Sequence, residues 1–150
     1  MKIEVIDDNY IVYLNKFNIF RLDFKNVNSL ESNIKKLLKK LECFYHIDIK
    51  GYYNINVYVD KYYGYVFKIK KENDYYNYFD LETVAVKIKK INTNFLYKVD
   101  DPFIFDDLNK FKFIKIKDNF YLKVIKKLSY KEYLTLLEFS KIKYDNENDL

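Results

Sequence analysis

Hydrophobic and polar positions alternate with a period of two along most of this chain, and the period lengthens to that of a helix in two places. "KIEVI" and "YIVYL" read as two strands joined by a turn at Asp7, Asp8 and Asn9. "IFRLDF" sets Phe20, Leu22 and Phe24 against Arg21 and Asp23, which predicts a third strand. In "NVNSLESNIKKLLKKLECFY" the pattern changes. Leu30, Ile34, Leu37, Leu38, Leu41 and Tyr45 recur at helical spacing, with Lys35, Lys36, Lys39 and Lys40 off the stripe. Asn28 or Ser29 is placed to cap this helix, and Glu31 follows Asn28 by three as in a capping box.

Alternation then returns. Tyr53, Ile55, Val57 and Val59 interleave with Asn54, Asn56, Tyr58 and Asp60, a strand with one wet face. "DKYYG" supplies a loop with a glycine for positive φ, and Tyr65, Phe67 and Ile69 alternate with Val66, Lys68 and Lys70 on the way back. "ENDYYNYFDLE" has no period and reads as a loop. "TVAVKIKKI" predicts a strand with Val84, Val86 and Ile88 inward and Lys87 and Lys89 outward, and "FLYKV" a further one. Asp101 is placed to cap a short helix starting at Pro102. "FKFIKIKDNFYLKVIKKL" is a hairpin around Lys117, Asp118 and Asn119, with a change of phase at Phe113 and Ile114 that suggests a bulge. "SYKEYLTLLEF" predicts a last helix, capped by Ser129 with Glu132 three on.

These elements predict an α+β fold: a mainly antiparallel sheet of about six to eight strands, with two principal helices packed on one face. At 150 residues the chain has the length of one domain. Residues 1–144 are expected to form it, with 145–150 a frayed acidic tail. No stretch nears the roughly 18 apolar residues of a membrane helix, and the acids of "MKIEVIDDNY" do not suit a signal peptide. A cytoplasmic protein is expected.

Composition changes how the aromatic residues are weighed. The chain has 17 tyrosines and 13 phenylalanines but 2 glycines, 1 proline and a single arginine, Arg21. Abundant Phe, Tyr, Ile, Asn and Lys with scarce Gly, Ala, Arg and Pro is the signature of AT-rich codons. Mutational pressure therefore accounts for part of the tyrosine and lysine content. The net charge of +5 fits an anionic partner. One arginine argues against bidentate reading of phosphate or guanine.

Inventory excludes several chemistries. One His and one Cys cannot build a zinc cluster, a disulfide or a paired-histidine metal site within one chain. Cys43 and His46 lie three apart, but a thiolate is disfavoured at a helix C-terminus. Cys43 reads as a core thiol and His46 as a rim imidazole of the following strand. Asp100, Asp101, Asp106 and Asp107 bracket "PFIF" and could hold Mg²⁺, although acids beside a proline more often make turns and caps. Glu82, Glu132 and Glu138 fall on different elements and offer no acid and base pair. Neither an enzyme nor a cofactor is expected.

Two binding classes remain. Lys68, Lys70, Lys87, Lys89, Lys115, Lys117 and Lys123, with the lysines of the first helix, could form one positive field. With Tyr58, Tyr62 and Tyr63 it would offer single-stranded nucleic acid a stacking platform. A solvated sheet face is the plainer reading of the same residues. The favoured expectation is a small non-enzymatic protein that acts by recognising the surface of another protein. Nucleic-acid binding through Tyr58, Tyr62, Tyr63, Lys68, Lys70, Lys87 and Lys89 stands second.

"MKIEVIDDNYIVYLN", the amphipathic helix and "GYYNINVYVDKYYGYVFKI" follow the element order of the N-terminal part of MecA-type adaptor proteins. "IKIKDNFYLKVIKKLSYKEYLTLLEF" resembles the hairpin and helix that close that family. The resemblance implies an adaptor that brings substrates to a bacterial AAA+ protease. The acidic character and the long linker of that family are absent here.

Overall fold

The computed structural model describes residues 2–7, 9–18, 27–46, 51–72, 84–101, 103–105 and 107–145, and within these nine strands and two α-helices form an α+β fold. The strands are β1 (Lys2–Ile6), β2 (Asn9–Asn15), β3 (Gly51–Asp60), β4 (Gly64–Lys71), β5 (Val84–Asn92), β6 (Leu96–Val99), β7 (Phe111–Ile116), β8 (Asn119–Val124) and β9 (Ser140–Lys143). The helices are α1 (Val27–Tyr45) and α2 (Tyr130–Phe139). In place of the one sheet expected there are two, a five-stranded sheet in the order β1-β2-β4-β3-β5 and a four-stranded sheet in the order β7-β8-β6-β9. The chain forms two compact units. The first holds 1–14, 18–57 and 66–90, and the second holds 15–17, 58–65 and 91–150.

In the first unit the predicted stripe of α1 is buried: Leu30, Ile34, Leu37, Leu38 and Leu41 are each at most 5% exposed, while Lys36, Lys39 and Lys40 face water. Tyr45, at the end of the stripe, is half exposed. The helix begins at Val27, so Asn28 and Ser29 lie inside its first turn rather than capping it. His46 follows its last residue with φ 53°, a left-handed ending that histidine tolerates better than most residues. It therefore ends α1 and is not part of β3. Cys43 is exposed, not a core thiol, because it falls off the buried stripe.

Strands β1 and β2 pair antiparallel from Lys2↔Tyr13 to Ile6↔Asn9, leaving a two-residue loop whose Asp7 has φ 54°. Tyr53, Ile55 and Val57 on β3 and Phe67 and Ile69 on β4 are buried, as the alternation predicts. Val59 and Tyr65, expected inward, are half-buried, and Tyr58 and Asp60, expected outward, are buried. Val66 is buried as well, so β4 is covered on both faces there. On β5, Lys87 and Lys89 are exposed while Val86 and Ile88 are half-buried, an outermost strand in its sheet. The strand proposed over 19–24 and the loop over 73–83 lie outside the described residues.

The second unit is built around β6, the "FLYKV" strand, which pairs antiparallel with β8 on one side and β9 on the other. Strands β7 and β8 pair without interruption from Phe111↔Val124 to Ile116↔Asn119 around Lys117 and Asp118. No bulge interrupts them. The change of phase has another cause: β7 is an edge strand, and beyond the buried Phe111 its Phe113 is 42% exposed. Ser129 caps α2 and accepts from the Glu132 amide while Glu132 accepts from the Ser129 amide, the capping box expected. The short helix expected at Pro102 lies later: Leu108–Lys110 form one 3-10 turn, capped by Asp107. Asp101 instead accepts from the Phe103 amide in a turn. Strand β9 was not foreseen. It carries the chain straight out of α2 onto the edge of β6.

Candidate functional site

The loop between β3 and β4 is organised by one carboxylate. Asp60 is 8% exposed, and its Oδ2 accepts from the amides of Tyr62 and Tyr63, each at 2.8 Å. Its Oδ1 accepts from the Phe95 amide at 2.9 Å, which ties the loop to the entry of β6, 35 positions away in sequence. An aspartate bonding to backbone two residues on is a recognised turn former, and Gly64 takes the positive φ (124°) that lets the chain leave as β4. The Lys16 amide donates to the Tyr63 carbonyl at 2.6 Å, and the Tyr62 hydroxyl to the Ile125 carbonyl at 2.8 Å.

These ties bring three separate stretches together around a pocket of about 450 Å³ in the second unit. Lys16, Lys61 and Lys127 supply its ammonium groups, and Phe17, Tyr62 and Tyr133 its aromatic walls, with Leu128 beneath. Phe17 stands edge-on to both Tyr130 and Tyr133, with centroids 5.4 Å apart and ring planes 70° and 68° apart. Among the described residues no carboxylate lines the pocket and none of its three lysines forms a salt bridge. Lys16 Nζ reaches the Lys61 carbonyl at 3.4 Å, and Lys61 Nζ lies 5.4 Å from the centre of the Tyr62 ring. The acids nearest Lys61 and Lys127 in sequence are already engaged. Asp60 is held by three amides, and Glu132 by Lys110 at 2.8 Å and by the helix cap. The Lys110 hydrogen bond and the Ser129 amide hold the Glu132 carboxyl below its ordinary pKa.

Beneath this surface lies a cluster of tyrosines. Tyr63, Tyr97 and Tyr133 are buried, and burial raises the pKa of each hydroxyl, with Asp60 adding to the effect at Tyr97 and Tyr133. All three therefore stay protonated. The hydroxyls of Tyr97 and Tyr133 are buried without a partner among the described residues.

The residues nominated from the sequence are divided between the two units. Tyr58 is 7% exposed and packs on Tyr144 at 5.1 Å, and Tyr63 is 3% exposed and packs on Phe95 at 5.4 Å. Tyr58 was expected on the wet face of its strand and Tyr63 in the hairpin loop, and both rings are buried. Only Tyr62 reaches the pocket. Lys68 and Lys70 on β4 and Lys87 and Lys89 on β5 are exposed in the first unit, whereas Lys115, Lys117 and Lys123 belong to the second. Lys16, Phe17, Lys61, Lys127 and Tyr133 were not singled out for a site, because they come from stretches far apart in sequence and share no period. The one sequence signal was the "DKYYG" turn.

Among the described residues no three His, Cys, Asp or Glu side chains are grouped to hold a metal ion; Asp106 lies outside them. No described helix is long and apolar enough to cross a membrane. Comparison with protein-family models, curated proteins and solved structures finds no match to this chain.

Proposed function

We propose that this protein is a non-enzymatic recognition protein that binds another protein through the pocket of the second unit. The observation that carries the reading is the set of three lysines, Lys16, Lys61 and Lys127, which line the pocket with the rings of Phe17, Tyr62 and Tyr133 and form no salt bridge among the described residues. Aromatic surface and unpaired cations, on a scaffold tied by Asp60, are what a recognition site needs. The nucleic-acid reading has less support, since two of its three nominated tyrosines are buried. A stacking platform needs open ring faces. The single cysteine is free, which suits a reducing compartment, and we place the protein in the cytoplasm.

The test is selection of a random peptide library on the purified protein, beside an anisotropy titration with labelled single-stranded oligonucleotides at physiological salt. Enrichment of related peptides that no longer bind the Lys61→Glu, Lys127→Glu double variant is the expected result. Oligonucleotide binding should be weak and lost near roughly 0.2 M salt, as expected of counterion release alone. Submicromolar oligonucleotide affinity abolished by Tyr62→Ala, with no peptide enriched, would reverse the assignment.

A further inference from the structure

Resting on that reading, we infer that the pocket takes an acidic peptide segment, with a side-chain carboxylate among Lys16, Lys61 and Lys127 and a neighbouring apolar side chain against Phe17 and Tyr62. Charge selects the sign of the occupant. Three lysines line the pocket, and no acid does among the described residues. Each lysine has donors to spare: Lys16 uses one on the Lys61 carbonyl, and a lysine has three.

Ring geometry selects the shape. A nucleobase is best held on an open, parallel ring face. Here Phe17 meets Tyr130 and Tyr133 at planes 70° and 68° apart, which makes a cornered wall. Such a wall suits a compact, branched or edge-on side chain better than a flat base. The volume of about 450 Å³ lies in the range of small-ligand pockets and holds one or two side chains rather than a long stretch of chain.

Tyr133 adds an independent observation. It lines the pocket, it is 2% exposed, and its hydroxyl has no acceptor among the described residues. Burial keeps that hydroxyl protonated, so it remains a donor for a carboxylate oxygen. A buried donor left without an acceptor is costly, and an occupant that supplies one relieves the cost.

The experiment is a fluorescence-anisotropy titration of the full chain with a fluorescein-labelled peptide, Gly-Asp-Glu-Phe-Asp-Glu-Gly, against its Asn and Gln analogue and an analogue with Ala for Phe. ATP and inorganic phosphate serve as competitors. The acidic peptide should bind and both analogues should bind more weakly. Lys16→Gln, Lys61→Gln and Lys127→Gln together should weaken it by about tenfold, the sum expected of three exposed ion pairs. Lys68→Gln with Lys70→Gln should leave it unchanged. Tyr133→Phe should weaken it by roughly threefold without lowering the melting temperature, since that hydroxyl makes no hydrogen bond among the described residues. Equal binding of the Asn and Gln analogue, or equal loss in the Lys68 and Lys70 control, would overturn the inference. So would ATP displacing the peptide with the same lysine dependence and a higher affinity. If library-selected peptides bind but are neutral, the acidic occupant fails while recognition of a protein stands. If no peptide of either kind binds, the reading beneath it fails as well.

Discussion

The first unit buries mostly aliphatic side chains, Ile34, Leu37, Leu38, Leu41, Ile55, Val57, Val66 and Ile69, whereas the second buries Phe95, Tyr97 and Tyr133 beside Leu96, Leu122 and Leu136. The difference is one of obligations. An aliphatic side chain is satisfied by leaving water, so the first unit needs only a stripe and an alternation. A buried tyrosine also carries a hydroxyl that wants a partner. The second unit meets part of that need and leaves the Tyr97 and Tyr133 hydroxyls without one. Its backbone is organised differently too, around the buried Asp60 rather than around helix periodicity. A polar, lysine-edged pocket has formed in this unit, where aromatic rings and hydroxyls meet the surface.

The largest effect that could break this comparison is truncation of the two cores. Phe95→Ala should cost roughly 3–5 kcal/mol and Leu37→Ala roughly 2–5 kcal/mol in denaturant unfolding. Lys36→Ala, exposed on the same helix as Leu37, should stay within about 0.5 kcal/mol. A Leu37→Ala midpoint equal to that of Lys36→Ala would remove the aliphatic core assigned to the first unit.

Asp60→Asn ranks next. The amide keeps one acceptor oxygen for three backbone donors and loses the charge, so a loss of about 1–3 kcal/mol is expected. Hydrogen exchange should speed at the Tyr62, Tyr63 and Phe95 amides together. If only the loop amides respond, Asp60 is a local turn former and not the tie to β6.

Glu132 offers the smallest and most specific effect. Its folded pKa is lowered, so its contribution is present above the pKa of an unfolded glutamate, about 4.3, and is lost as pH falls through the lower folded value. Glu132→Gln should therefore narrow the stability difference between pH 7 and pH 3, measured by thermal melts. The change should be modest, because the Lys110 pair is about a quarter exposed and solvent screens it. An unchanged difference would show that the cap and the ion pair do not stabilise α2 through this charge.

Much of the fold was legible because its signals are local. The leucine stripe of α1, the alternation over residues 53–57 of β3, the Lys117 and Asp118 turn and the Ser129 capping box are each written within about twenty residues, and all are present. The misreadings share one cause. Tyr58 read as a wet-face residue because alternation assigns one face to water, and Tyr63 as a loop residue, yet Tyr144 packs on the first and Phe95 on the second. Cys43 read as core because it is apolar, although its angular position on α1 leaves it outside the stripe. An edge strand whose Phe113 is exposed while Ile114 is half-buried imitated a bulge there. The candidate site was hardest to see, since no local pattern links Lys16, Lys61 and Lys127.

The sequence by itself determined the α+β class, the two helices, most strands and an inventory too small for a zinc cluster or a disulfide within one chain, because periodicity and residue inventory are properties of short segments or of simple counts. Only the tertiary structure decided that nine strands divide between two sheets, that β9 joins β6, and which tyrosines are core. Those outcomes depend on which faces are covered by segments distant in sequence. Asp60 shows why: its partners at Tyr62 and Tyr63 are implied by a turn motif, but its bond to Phe95 exists only once the chain has folded back across 35 residues.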